Sequence, residues 1–546
     1  MAFSKKQHHP DGHRIIQTLV LCLFGLCVTA AAATRKARKP DNRVHLIHAD
    51  ELRYDMYGPA PDAQIVKGKV HFEHDGAQLW CDSAYFYQQS NSVKAFGNVR
   101  FRQGDTLSLD CDRAAYDGLE QLMMARSRVI MHHRRQTLHC DSLNFNRLEQ
   151  YAYFFEGGEL IDGRDHLVAD WGGYHTDTRI AEFYYKVHMY NGERDIRTDT
   201  LHYDVRQSKA HVTGPSTITT KTSTVKTKDA WFNSSNRSSE MFGRSTIIDG
   251  AREITGDTLT HNDDSGISQG FGNVIYVDKE NRNELHGGYV YYNDKTGFGF
   301  ATQRPVAVDY SQQDTLWMHS DTMKVYTYNI NTDSAYRTIH CYPRVRAFRT
   351  DLQAVCDSLV GNSLDSSMTM YKDPVVWNNN RQLLGEVIKV YMNDSTIRQA
   401  NVIGQTLSIE KIDDKDHYNQ VSSKEMQADF VDGAIRRITN SGNVRAIYFP
   451  VDDKDTTLIG LNYTETDTMR MSLSPERQLQ KIWMPKATGT LYPMTQIPPD
   501  KMRLRDFVWL DDIRPTDKHD IFRIVGKSDD QKLRVIERHS VPLQSF

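Results

Sequence analysis

Apolar and polar residues alternate with a period of two along most of this chain. Val66, Gly68, Val70 and Phe72 fall on one side, and Lys67, Lys69, His71 and Glu73 on the other. Further on, Val99 and Phe101 alternate with Arg100 and Arg102, then Leu107, Leu109 and Cys111 with Ser108 and Asp110. Successive side chains of an extended strand project to opposite faces, so this pattern predicts half-buried strands. Apolar stripes at helical spacing are weak throughout, and the chain reads as all-β.

The strands belong to one motif written many times. Gly68-Lys69-Val70-His71-Phe72, Gly97-Asn98-Val99-Arg100-Phe101 and Arg128-Val129-Ile130-Met131 open successive units. A second run follows each: Leu79-Trp80-Cys81-Asp82, Leu107-Ser108-Leu109-Asp110-Cys111-Asp112 and Leu138-His139-Cys140-Asp141. The Cys-Asp pairs recur at steps of 30 and 29 residues, and Leu167-Val168-Ala169-Asp170 repeats the pattern 29 further on. Tyr85, Tyr116, Phe145 and Tyr174 close the units. Gly272-Asn273-Val274, Pro343-Arg344-Val345, Ala400-Asn401-Val402 and Gly442-Asn443-Val444 carry the opening downstream. Glycine there fits a bend or bulge needing positive φ. Asp-Thr-Leu at Asp105, Asp199, Asp257 and Asp314 reads as a turn entering the second run. Roughly a dozen units fit between residues 44 and 490, which is the mark of a repeat architecture.

One such unit cannot bury its single apolar face alone. Stacked units would pair strand to strand, with apolar columns inside and charges outside. Cys81, Cys111 and Cys140 fall in one column as small buried residues, with a disulfide between stacked neighbours as the alternative. At about two layers of ~4.8 Å per unit, the array spans on the order of 100 Å. Its end strands keep unpaired edges that invite another chain.

The N-terminus reads as an export signal. Lys5, Lys6 and Arg14 precede an apolar run from Ile15 to Val28, and Ala31-Ala32-Ala33 offers a cleavage site. The resulting division is a signal peptide over 1–33, a basic linker over 34–43, the strongest repeats over 44–180, degenerate repeats over 181–490 and a C-terminal cap or tail over 491–546. An uncleaved anchor helix is the alternative at the start, and an unstructured tail at the end. Export places the protein in the periplasm, possible contact with the membranes included. A net charge of −3 argues against nucleic acid as a partner. Charged residues at 25% and apolar ones at 39% fit a soluble chain. Five cysteines remain after cleavage, an odd number, so a disulfide framework does not hold the fold.

Chemistry-bearing motifs are scarce. No phosphate loop, nucleophile elbow or zinc spacing occurs, so no catalytic residue, metal or cofactor is expected and the chain reads as no enzyme. His132 and His133 would point to opposite faces of a strand, a poor geometry for a shared metal. Asp82, Asp112, Asp141 and Asp170 form a ladder whose regular spacing reads as structural, with a glycosidase pair as the weaker reading. Lys67, Lys69, Arg100 and Arg102 are either a rim for lipid phosphates or solvated edge charges.

The openings Gly68-Lys69-Val70 and Gly97-Asn98-Val99, with the Leu-x-Cys/Ala-Asp-x-x-x-aromatic runs, resemble the OstA-like repeats of LptA-type lipopolysaccharide-transport proteins. The resemblance implies an elongated β-jellyroll or solenoid, two sheets meeting as a V around an open groove. It implies a periplasmic bridge that holds the acyl chains of lipopolysaccharide or a related lipid. Its partners would be inner-membrane transporter and outer-membrane translocon components, reached by terminal strand pairing, and a second copy joined head to tail. The chain is longer than the short periplasmic members and lacks the strand train of a C-terminal barrel. Inward Val70, Phe72, Leu79, Val99, Phe101, Leu107, Leu109, Val129, Met131 and Leu138 would be the lipid-binding residues. A closed, filled core is the competing reading, and with it a structural or adhesive extracellular β-solenoid.

Overall fold

A computed structural model describes residues 43–393, 396–413, 415–452, 457–475, 478–528 and 531–532. The signal segment and nearly all of the linker lie outside the described residues. Among those described, thirty-eight strands form one antiparallel sheet. Gln64–His74 pairs with Ala77–Tyr87, that strand with Ser92–Gln103, and that one with Leu107–Asp117, each hairpin handing on to the next. The strands group into twenty-eight such rungs, because ten rungs are interrupted midway and count as two strands each. At ~4.8 Å per rung the array runs for about 130 Å.

Every rung bends in the middle, and the cause is local. Between Gln64–His74 and Ala77–Tyr87 the register passes from Lys67↔Ser83 to Val70↔Cys81, one extra residue on the first strand. Gly68 and Lys69 take positive φ at that bulge, as do Gly97 and Asn98, and Gly272 and Asn273. A bulge of this kind bends a strand and re-aims its side chains. Repeated in alternate rungs, it folds the sheet along a continuous elbow, which gives two arms meeting as a V. The predicted bulge glycines are therefore in place.

The aspartate ladder is what braces the elbow. Asn98 Nδ2 donates to Asp82 Oδ2 at 2.8 Å, and Asn273 Nδ2 to Asp257 at 3.1 Å. Arg128 clasps Asp112 at 2.9 and 2.5 Å, and Lys186 reaches Asp170 at 2.9 Å. Exposed pairs of this kind contribute little singly, but each fixes the carboxylate against the bulge of the next rung. Asp199 and Asp257 are elbow residues inside strands Arg194–Asp204 and Arg252–Asn262. The expectation of turn residues at these two positions was incorrect: Asp-Thr-Leu marks a turn at Asp105 and an elbow here.

A side chain at Gly97 would meet Asp82 Oδ2 at 2.5 Å, whereas one at Gly76, also at positive φ, would meet nothing. Gly76→Ala should cost about 1 kcal/mol for the left-handed backbone alone, and Gly97→Ala about 2 kcal/mol or more. Urea denaturation of both, with Gly97→Ala repeated on an Asp82→Ala background, checks this. Equal losses at the two glycines would mean that the carboxylate is not what fills that space.

The C-terminal segment runs back along the outside of one arm, from the last rungs toward those near residue 306. Three buried glutamines and an arginine of the outer face hold it in place. Gln420 donates to the Met502 carbonyl and accepts from Leu504 N–H. Gln382 does the same for Val508 and Leu510, while also accepting from Trp377 Nε1. Gln353 accepts from Arg514 Nε, and Arg346 donates to the Ile513 carbonyl and pairs with Asp520. Leu504, Leu510 and Ile513 pack over Trp377, Ile409 and Phe449, and Ile521 over Val306 and Val308.

Candidate functional site: the interior between the arms

The interior is a set of rows that run the length of the array, each made of directly paired residues. On the first arm one row passes through Phe72, Leu79, Phe101, Leu109, Met131 and Leu138. It continues through Leu160, Leu167, Met189, Ile196, Ile218 and Val225. From there Ile247, Ile254, Tyr276, Leu285, Ala307 and Met318 carry it on, and Ala347, Ala354, Val376 and Leu383 complete it. No polar residue interrupts it before Ser408. The structure brings all ten predicted residues together. Six lie in this row, Val70, Val99 and Val129 sit at the elbow opposite cysteines 81, 111 and 140, and Leu107 lies one step toward the mouth. All are between 0 and 7% exposed and belong to one cluster.

The second arm answers with a row that alternates large and small. Phe86, Val93, Tyr116, Met123, Phe145, Ala152, Tyr174, Ala181, Tyr203, Ala210 and Phe232 pair in that order. The closing aromatic of the first unit is thus Phe86 and not Tyr85, which points outward and packs edge-on against Phe96. The elbow switches the inward parity, from Cys81 to Ala84, and period-two counting carried through it lands one residue early. Past Tyr292 the same row becomes Gly299, Val325, Ile339, Gly361, Met368 and Val390. No aromatic fills the mouth there, and Ile339 and Met368 stand 46% and 39% exposed.

Polar side chains bridge the mouth of the V in the upstream rungs. His74 Nδ1 meets Tyr116 Oη at 2.7 Å, and His133 Nδ1 meets Tyr174 Oη at 2.9 Å. Arg147 spans both arms, donating to Tyr116 Oη, Gln103 Oε1 and the Asp75 carbonyl. Below these bridges the interior is filled by its own side chains; a residual void of about 10 Å³ is lined by Met131, Leu138, Phe154, Leu160 and Phe183 among others. Burial, then the charges of Arg134 and Arg179, hold the His133 imidazole below its ordinary pKa. Burial pushes the thiols of Cys81, Cys111, Cys140 and Cys341 up to about 12 and that of Cys356 further in the same direction, so these sulfurs behave as small apolar groups. All five are free cysteines.

The model of the family described as "OstA-like protein" matches residues 41–199. Over this stretch the chain is similar to that family. Among solved structures the chain is similar to LptH from Pseudomonas aeruginosa, the LptA-homologous periplasmic component of its lipopolysaccharide transport device. Identity is 10% and the TM-score 0.20, over 26% of this chain and 95% of that one. No curated protein matches the chain. The OstA-like stretch covers the rungs with the Cys-Asp elbows and the bridged mouth. The downstream rungs keep the elbow, with Asp321 on Arg344 and Asp357 on Lys372, but lose the aromatic row. Among the described residues no three metal-ligating side chains lie together, and no helix is long and apolar enough to cross a membrane.

Proposed function

We propose that this protein is a periplasmic bridge that carries lipopolysaccharide or a related lipid along its interior toward the outer membrane, without catalysis. The observation that carries the reading is the unbroken apolar row from Phe72 to Leu383. Each methylene taken from water is worth about 0.8 kcal/mol, so an acyl chain moves without penalty only along a path that stays apolar at every step. The row offers similar surface at successive rungs and no single deep trap. The open downstream mouth, with Ile339 and Met368 at its edge, is where acyl chains gain access; upstream, the arms part as the polar bridges exchange for water. The match of residues 41–199 to the OstA-like family model supports the same role. Transporter and translocon components would add to the unpaired edges at the two ends of the array, and a second copy could join there head to tail.

A photo-crosslinking residue placed at inward Phe101 should give lipid adducts in living cells, and one at outward Arg102 should give none. Phe72 and Met131 should behave like Phe101. If all three inward sites stay unlabelled at normal protein levels and correct export, the interior is a filled core and the closed structural solenoid is the better reading.

A further inference from the structure

Between the arm tips, beside the His133–Tyr174 bridge, lies a cleft of about 260 Å³. Arg134 and His133 line it from the first arm, and Arg179, Arg206 and Asp177 from the second. His133 also lines the apolar void beneath, so the His133–Tyr174 pair is the partition between a wet cleft and the dry interior. Burial pushes the Tyr174 hydroxyl of that partition up to about 12, and the three guanidiniums lie near enough to oppose it, with Asp162 pulling the other way. Arg206 donates to the Asp177 carbonyl. Among the described residues the side chains of Arg134 and Arg179 make no hydrogen bond and no ion pair. Among the described residues that line the cleft Asp177 is the single carboxylate, against three guanidiniums, which leaves the cleft cationic.

We infer that this cleft is a phosphoryl-binding site for the head group of an amphiphile whose acyl chains lie in the interior. The inference rests on the lipid-carrying reading and adds a place and a chemistry to it. Guanidinium forks match phosphate oxygens in pairs, and three of them outweigh the charge of a lone carboxylate ligand, whereas a phosphoryl dianion answers them. The position supplies the rest: a head group held here has the mouth directly below it, so its acyl chains enter where the His133–Tyr174 partition yields. An inorganic phosphoryl anion presents the same chemistry without the chains, and the test separates the two.

The full chain is titrated with bis-phosphorylated lipid A, with its dephosphorylated form, and with inorganic pyrophosphate. The phosphorylated lipid should bind about tenfold more tightly than the dephosphorylated one, the scale of one lost charge-assisted contact. The triple variant Arg134→Gln, Arg179→Gln, Arg206→Gln should lose that preference while binding the dephosphorylated lipid as before. Asp177→Asn should widen it. A triple variant that keeps the preference overturns the site. If the triple variant does not fold, Arg134→Gln alone and Asp177→Asn carry the test, with opposite signs expected, and shifts of the same sign or none overturn it. If neither lipid binds the natural chain, the lipid-carrying reading fails instead. Pyrophosphate then decides the cleft: binding that the triple variant abolishes upholds a site for free phosphoryl anions, and no binding overturns it.

Discussion

Arg346→Ala should detach the C-terminal segment from the array while leaving the rungs paired. Arg346 is 3% exposed on the outer face, and burial lowers its pKa against the opposing pull of Asp520. Its Nη1 donates to the Ile513 carbonyl at 3.0 Å and its Nη2 reaches Asp520 Oδ2 at 3.4 Å. Removing one partner of a buried pair typically costs about 3–5 kcal/mol because the other charge is stranded. Here the lower end applies, since Arg523 still pairs with Asp520 at 3.0 Å. Hydrogen exchange should show residues 504–522 losing protection, with Gln353 and Val375–Asn378 following as their cover departs. An unchanged exchange pattern over 504–522 would mean that the glutamine contacts hold the segment without the arginine.

The second large effect is expected inside. Leu167 is fully buried between Leu160 and Met189 in the first-arm row. A carboxylate there has no partner, and Leu167→Asp should cost about 4 kcal/mol or more. In an array where each rung contacts mainly its neighbours, that loss stays local. Calorimetry should therefore show an early partial transition rather than a lower single one. Crosslinking at Met131 should persist if lipid loads from that side, and labelling beyond the altered rung should vanish. Leu167→Ala, which removes volume without adding charge, should cost about 2–4 kcal/mol and preserve labelling on both sides. Transport that survives the aspartate would rule out the first-arm row as the path.

Period two and the spaced glycines were enough to read an all-β repeat array, its bulges and the inward set from Val70 to Leu138. These features are local: strand parity and positive φ follow from a few adjacent residues. The elbow is where reading along the chain fails. At Cys81 to Ala84 the inward parity changes, so Tyr85 was read as the closing aromatic in place of Phe86. The spacing Leu-x-Cys-Asp-x-Ala-x-aromatic carries that switch and could have revealed it. Contacts across the mouth were beyond reach, because His74 meets Tyr116 and Arg147 meets Asp75 only after the sheet has bent. The outer path of residues 494–528 was equally hidden, since buried Gln353, Gln382 and Gln420 look in sequence like solvated positions.

The elbow also makes the protein divisible. Two rungs are written in about 29 residues, with one bulge per pair, and each rung pairs along its backbone only with its two neighbours. Removing or duplicating a whole pair would shift the far end by roughly 10 Å and leave the cross-section of the V as it was. Reach is thus a quantity this architecture can change in discrete steps, like a carpenter's folding rule, without redesigning the wall that does the work.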